Sequence, residues 1–256
     1  MQTLNPFLIF LILTIVIGVR YLLVAGLAYG LIWKTGRTPR RQLNRDPPRG
    51  AVIRHELALS LFSSWIYAAP ATLALVAWNH GGTLIYTEVS RYGGMAWLIA
   101  SGLIYLVIQD AYYYWLHRLM HHQALFKHMH AGHHRSRQPT PFASFSFDWA
   151  EAVANAWVLP ALVFVIPIHP AVILTLLTVA TIAAVLNHAG AEVLPDWLVQ
   201  GPLGRWLISA SHHSLHHSHY GKNFGLYFRF WDKLMGTDMV PRFEPDAAGD
   251  LRKAAP

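Results

Sequence analysis

Thirteen of the 16 histidines in this 256-residue chain fall in three places: 117–134, 188 and 212–219. Their spacing is that of metal ligands. His117 and His121 are four residues apart, which on a helix sets both imidazoles on one face, one turn apart, within reach of a single ion. In KHMHAGHH (127–134), His130, His133 and His134 are spaced i, i+3, i+4. His213, His216 and His217 repeat that spacing in ASHHSLHHSHYG (210–221). The first and last histidine of such a triplet can share one ion, while the adjacent pair splays towards two. His188 stands alone in NHAGAE. One i, i+4 pair arises readily by chance, and a lone histidine is usually packed or at the surface. Chance is a poor account of three clusters in one chain.

Imidazole suits Zn, Cu, Fe and Ni. Eight or nine imidazoles exceed what one ion uses, so two ions are implied, and a structural zinc site would close with four ligands. Neutral imidazoles in this number fit redox iron better than hydrolytic zinc, because a hydrolase wants a general base beside an activated water. Glu192, four residues after His188, is the carboxylate placed for that role. Metal ligand, support for a ligand, and solvated acid at a helix end all stand open for it. Asp110, seven residues before His117, shares its helical face; it either orients a ligand or pairs in the bundle interior. Cysteine is absent, which excludes disulfides, Fe–S clusters, Cys-based zinc fingers and a cysteine nucleophile.

The elements that hold these residues are membrane spans. The chain is 54% hydrophobic and 13% charged, against about a quarter charged in a typical soluble domain. Residues 4–33 are apolar except for Arg20, 57–78 carry no charge, and 95–116 carry only Asp110. Each is long enough for a span of about 20 residues. A cleaved signal peptide is the rival reading of 4–33, but that run is too long and no basic region precedes it. From Ala152 to Asn187 there is again no charge, with Pro167 and Pro170 near the middle. That run predicts a helical hairpin that enters the membrane and returns to the same side. The fold class expected is an all-α integral membrane protein: three transmembrane helices, a re-entrant or spanning hairpin, and a histidine-rich helical cap.

The net charge of +7 reads as topology. Loop 34–56 carries Lys34, Arg37, Arg40, Arg41, Arg45, Arg49 and Arg54, whereas loop 79–94 carries only Arg91. Because Lys and Arg collect on the cytoplasmic side, the N-terminus is expected outside and all the histidine boxes cytoplasmic. No nucleic-acid motif competes for the charge; anionic headgroups account for it. One membrane domain over 1–256 is expected: an N-terminal span and basic loop (1–56), a core (57–240), and a disordered tail (242–256).

The order H-x3-H, H-x2-HH, a single histidine after a hairpin, then H-x2-HH resembles the sterol desaturase and fatty acid hydroxylase superfamily. So do YYWLHR (113–118), HHRSRQPTPFAS (133–144) and NFGLYFRFWDKLMGT (223–237). The likeness covers about 57–240 and looks most like the C-5 sterol desaturase branch and its bacterial relatives. It implies a non-haem di-iron oxidoreductase that uses O2 and two electrons to hydroxylate or desaturate a C–H site of a membrane lipid. It also implies an external electron donor such as cytochrome b5, or a ferredoxin with its reductase. The ligands it implies are His117, His121, His130, His133, His134, His188, His213, His216 and His217. Some members place a second histidine four residues after the isolated one, where this chain has Glu192.

Other residues take plainer readings. His212 flanks the third box as a neighbour or support, as do His122, His128 and His219 at theirs. His55, His80 and His169 are interfacial or structural. Tyr112, Tyr113, Tyr114 and Trp115 form an interfacial belt, with Tyr113 and Tyr114 able to line the site. Asp148 and Glu151 suit a helix N-terminus. A zinc-dependent membrane hydrolase and a metal transporter are the rival functions; the second would want its histidines at the membrane midplane. With no clear retrieval signal, a bacterial inner membrane is preferred to the endoplasmic reticulum.

Overall fold

The computed structural model describes residues 5–35, 41–44, 46 and 48–241. Arg37, Arg40 and Arg45 of the basic loop and the tail 242–256 lie outside the described residues. Helix α1 (Pro6–Tyr29) starts with Asn5, whose Oδ1 accepts from the Phe7 amide at 2.8 Å, and with proline at the first helical position, where its missing N–H costs nothing. It ends in a π-helical turn over Gly30–Lys34. Helices α2 (Gly50–Asn79) and α3 (Gly94–Met120) follow, and after several short elements comes α7 (Pro170–Asn187). All four are long and apolar enough to cross a membrane, with Pro6–Lys34 counted as one. At 1.5 Å per residue their roughly 27–45 Å matches or exceeds the ~30 Å hydrocarbon core.

Helix α2 begins seven residues before the expected span at 57. Arg54, His55 and Glu56 are helical, and Glu56 is fully buried. Its carboxylate accepts from the amide of Thr140 at 3.2 Å and from the Thr140 hydroxyl. A charged residue read as loop therefore serves as an anchor inside the bundle.

What it anchors is an irregular segment, 139–147, wedged among α1, α2 and α7. Non-helical backbone is tolerated at membrane depth only where protein surrounds it and satisfies its polar groups. The Phe142 carbonyl accepts from the Tyr21 hydroxyl at 2.8 Å and from Ser60 Oγ at 3.0 Å. Asn44 Nδ2 donates to the Pro139 carbonyl at 2.9 Å.

The hairpin forms as expected, but its outbound limb is broken into α5 (Trp149–Ala156) and α6 (Val158–Leu162), and α7 is the return limb. Its tip binds the α2–α3 loop through Leu84 N to Val163 O (2.8 Å) and Tyr86 N to Ile168 O (3.1 Å). Trp97 Nε1, at the start of α3, donates to the Pro167 carbonyl at 3.2 Å. The tip and that loop thus share one end of the bundle. Helix α3 runs about 30 Å from there to His117, which fixes the histidine boxes at the other end.

Short elements complete that end: α4 (Gln123–Met129), 3₁₀ turns at His133–Arg135 and Pro141–Phe145, α8 (Asp196–Val199), α9 (Ala210–Ser218) and α10 (Phe230–Leu234). Strands β1 (Arg41–Gln42) and β2 (Ala191–Glu192) pair antiparallel over two residues.

Candidate metal centre

Each histidine is held at the end of an element. His117 lies in the last turn of α3, and His121 is its C-cap. His130 caps the C-terminus of α4, with His133 and His134 on the 3₁₀ turn that follows. His188 caps α7, and the third box lies on α9. Gly132 makes the second box possible: a Cβ there would come within 2.1 Å of Asp148 Oδ1, and Asp148 Oδ2 accepts the Gly132 amide at 2.6 Å.

The fold sorts the nine candidates into two groups. His117, His121, His130, His134 and His216 form one; His133, His188, His213 and His217 form the other. Within each group the facing donor atoms all lie within 4.8 Å of one another. Each H-x-x-H-H box contributes to both: His133 splays away from His130 and His134, and His216 away from His213 and His217. The groups adjoin, with the rings of His134 and His217 centred 4.7 Å apart.

The rings present Nε2 inward. Four of them donate from Nδ1 to a main-chain carbonyl: His117 to Phe224 (2.9 Å), His133 to Ser146 (3.0 Å), His188 to Ala184 (2.8 Å) and His216 to Lys222 (2.7 Å). A carbonyl can only accept, so in the neutral ring Nδ1 carries the hydrogen and Nε2 keeps its lone pair. His130 Nδ1 faces Glu151 Oε2 at 2.7 Å. Burial keeps the rings outside the spans neutral. It lowers His121 and His188 to about 3 and His133 to about 4, and holds His130, His134, His213, His216 and His217 well below the usual range.

Neutral rings so oriented conflict with one another unless something lies between them. The Nε2 atoms of His133 and His188 are 3.3 Å apart, yet neither has a hydrogen to give the other. Those of His117 and His130 are 3.0 Å apart, and His134 Nε2 is 3.1 Å from His216 Nε2. In the second group His213 Nε2 stands 2.9 Å from His188 and 3.2 Å from His217. Where both tautomers are set, as for His133 and His188, the facing lone pairs repel, and a cation removes the repulsion. With metal–nitrogen bonds of about 2.0–2.1 Å, neighbouring donors on one ion stand roughly 2.8–3.4 Å apart. The donor sets therefore fit metal ions, one to each group.

The surrounding residues support the rings rather than join them. Asp110 Oδ1 accepts the amides of Tyr227 and Phe228 at 2.8 and 3.1 Å. Asp232, buried on α10, accepts those of Phe224 and Gly225, both at 2.9 Å. Together they fix the segment whose Phe224 carbonyl orients His117. Glu192 lies in neither donor group: one oxygen accepts the Ser211 amide and hydroxyl at 3.0 and 2.7 Å, the other the Leu194 amide at 3.2 Å. It pins the first turn of α9, where a negative charge is favourable. The Tyr114 hydroxyl pairs with Thr237 Oγ1 at 3.0 Å, and its ring packs behind Phe224. The Tyr113 ring lies 5.2 Å from that of His117. His212 is buried outside both groups, with Nδ1 on Ser209 Oγ. His169 caps α7 and reaches the Thr87 carbonyl, away from the boxes.

Glu151 and Asp232 carried no local signal that set them apart. Glu151 sits where any helix tolerates an acid, yet it is fully buried, and burial beside Asp148 pushes its carboxyl well above the usual range. Asp232 stands out only as an acid among the aromatics of 224–231.

Comparison with known proteins bears on this arrangement. A family model described as fatty acid hydroxylase matches residues 102–237. The chain is 28% identical over 228 residues to a Delta(7)-sterol 5(6)-desaturase of Gibberella zeae, covering 88% of this chain and 67% of that protein. It is 30% identical over 178 residues to the lathosterol oxidase of Rattus norvegicus (69% and 58%) and 28% identical over 191 residues to that of Homo sapiens (74% and 62%). The chain thus spans 58–67% of the length of these three relatives. No solved structure matches.

Proposed function

The chain belongs to the fatty acid hydroxylase family, and from that premise we propose that it is a membrane oxidoreductase that uses O2 to hydroxylate or desaturate a C–H site of a lipid. The observation that carries the reading is the pair of buried imidazole groups, five donors and four, with Nε2 turned inward. His117, His121, His130, His134 and His216 would hold one iron ion, and His133, His188, His213 and His217 the other. Bound there, the metals would supply the redox chemistry that couples O2 reduction to breaking an unactivated C–H bond.

The protein's own part is to hold, orient and exclude. Carbonyls of Phe224, Ser146, Ala184 and Lys222 set the tautomer of four rings, and Glu151 orients a fifth. Asp110 and Asp232 keep the Phe224 segment in register behind His117. Eight of the nine rings are buried, which keeps bulk water from a site that must attack a C–H bond. Hydroxylation consumes one O2, two electrons and two protons, leaving an alcohol and water; desaturation consumes the same and leaves an alkene and two waters. The electrons come from a separate donor, an acidic protein such as cytochrome b5 or a ferredoxin with its reductase. It would dock on the basic loop 34–56, which the excess of Lys and Arg leads us to expect on the cytoplasmic side. The relatives are named for sterol substrates, and a sterol or related lipid is the substrate class proposed here.

The rivals fit less well. Five imidazoles exceed the tetrahedral set of zinc, and among the described residues no carboxylate joins either group to serve a hydrolase. The histidines lie at helix ends, where a transport path through the bilayer would not place them.

The test is metal analysis of protein purified from membranes and reconstituted anaerobically, together with lipidomics of a deletion strain. About two irons per chain is expected, one for each donor group, with one lipid species lacking a hydroxyl or a double bond. Iron-free protein with full activity would overturn the reading.

A further inference from the structure

A second feature lies beside the histidine groups. A pocket of about 340 Å³ opens between α3 and α7 under the loops that precede α9, within the range of small-molecule sites. Its wall on α7 runs from Val179 through Ile182, Ala183 and Leu186 to Asn187, with Leu106 of α3 opposite and Leu207, Ile208 and Leu226 above. Val179 to Asn187 is eight residues, about 12 Å along the axis, close to the depth of one leaflet's hydrocarbon, half of ~30 Å. Val179 and Ile182 are 42% and 44% exposed, so the wall is continuous with the lipid-facing surface of the span. The inner end is formed by Asn187, next to His188, and by Ala210, one turn before His213.

The polar side chains of the pocket are already engaged. Asn187 Nδ2 donates to the Leu226 carbonyl (3.1 Å), the Tyr227 hydroxyl to Gln109 Oε1 (3.1 Å), and Ser209 Oγ pairs with His212 (3.0 Å), while Glu192 is held by Ser211 and Leu194. An occupant meets a wall that is mainly apolar, which selects hydrocarbon over a headgroup. Trp206, the chain neighbour of Leu207 in the lining, is exposed, and Lys233 Nζ lies 4.4 Å from its ring. Tryptophan beside a cation at the end of a span is the chemistry of the headgroup level.

We infer that this pocket holds one hydrocarbon chain of a bilayer lipid, admitted sideways from the leaflet next to the histidine groups. On the functional reading above, that chain belongs to the substrate.

The test uses the full chain in liposomes of phosphatidylcholine whose acyl chain carries a diazirine, photolysed and mapped by peptide mass spectrometry. Leu106, Val179, Ile182 and Leu226 should be labelled several-fold more than Leu23 and Leu27, which are exposed on α1. Ala183→Trp, and independently Leu106→Trp from the opposite wall, should cut labelling of Leu226 several-fold at unchanged iron content. Pocket labelling no greater than that of α1 overturns the inference in the wild-type protein, whether or not the variants insert. Strong pocket labelling in a protein that oxidises no lipid would keep the pocket and sink the functional reading. Lipid oxidation without preferential labelling would do the reverse.

Discussion

His130 Nδ1 lies 2.7 Å from Glu151 Oε2, with both side chains fully buried. The contact crosses from the second histidine box to the first helix of the hairpin. It ties the orientation of a candidate ligand to the one carboxylate that, among the described residues, reaches a ring of either group. Such partners typically change metal affinity by about 10–100-fold when removed. Glu151→Ala should lower iron affinity on that scale, measured by competition with a chelator, while the protein still inserts. Glu151→Gln, which keeps an acceptor, should lose less. Equal affinity in all three proteins would show that the contact only fills space.

The two donor groups should be separable. His188→Ala removes one of four donors from the second group and His216→Ala one of five from the first. Each should take iron content from about two per chain towards one, and each should abolish lipid oxidation, because both ions are needed. Metal analysis beside activity decides it. Unchanged stoichiometry in both variants would dissolve the division into groups.

The hydroxyl bond from Thr140 to Glu56 should be worth about 1 kcal/mol, the net value of a typical buried hydrogen bond. Thr140→Val removes the hydroxyl, keeps the shape and leaves the carboxylate the residue-140 amide but one donor short. A lowered melting temperature in detergent is expected, with loss of the packing of 139–147 against α1 seen as faster amide exchange there. A variant as stable as the parent would show that Glu56 finds another partner.

Acid should destabilise the metal-free protein in a defined window. Burial lowers His121 and His188 to about 3 and His133 to about 4, while unfolded imidazole titrates near 6.5. Above about pH 6.5 both states are neutral and the stability is intact. Below it the unfolded chain takes up protons that the folded chain refuses, so stability falls down to the folded values near 3–4. Melting at pH 7.5, 6 and 5 should show a progressive drop that bound metal delays. A flat profile from 7.5 to 5 in metal-free protein contradicts the burial of these rings.

Much of this centre is legible along the chain. A period of 3.6 and a span of about 20 apolar residues are local properties, and so is the fact that residues four apart share a helical face. The spans, the hairpin, the nine candidate rings and the splaying of each H-x-x-H-H box follow from such rules and from the resemblance. Membership of a group does not. His117 meets His130 and His216 from elements 13 and 99 residues further on, and only the packing of α3, α4 and α9 brings them together. The same limit hides the support. Glu56 looked like part of a basic loop, and Glu151 like an ordinary acid at a helix start. A carboxylate's role depends on what burial denies it and which donor it meets instead, and that partner lies across the fold, Thr140 in one case and His130 in the other. Glu192 makes the point in reverse. Its place four residues after His188 suggested metal chemistry, but the fold turns it to the N–H groups of Ser211 and Leu194, where it holds the helix that carries the third box.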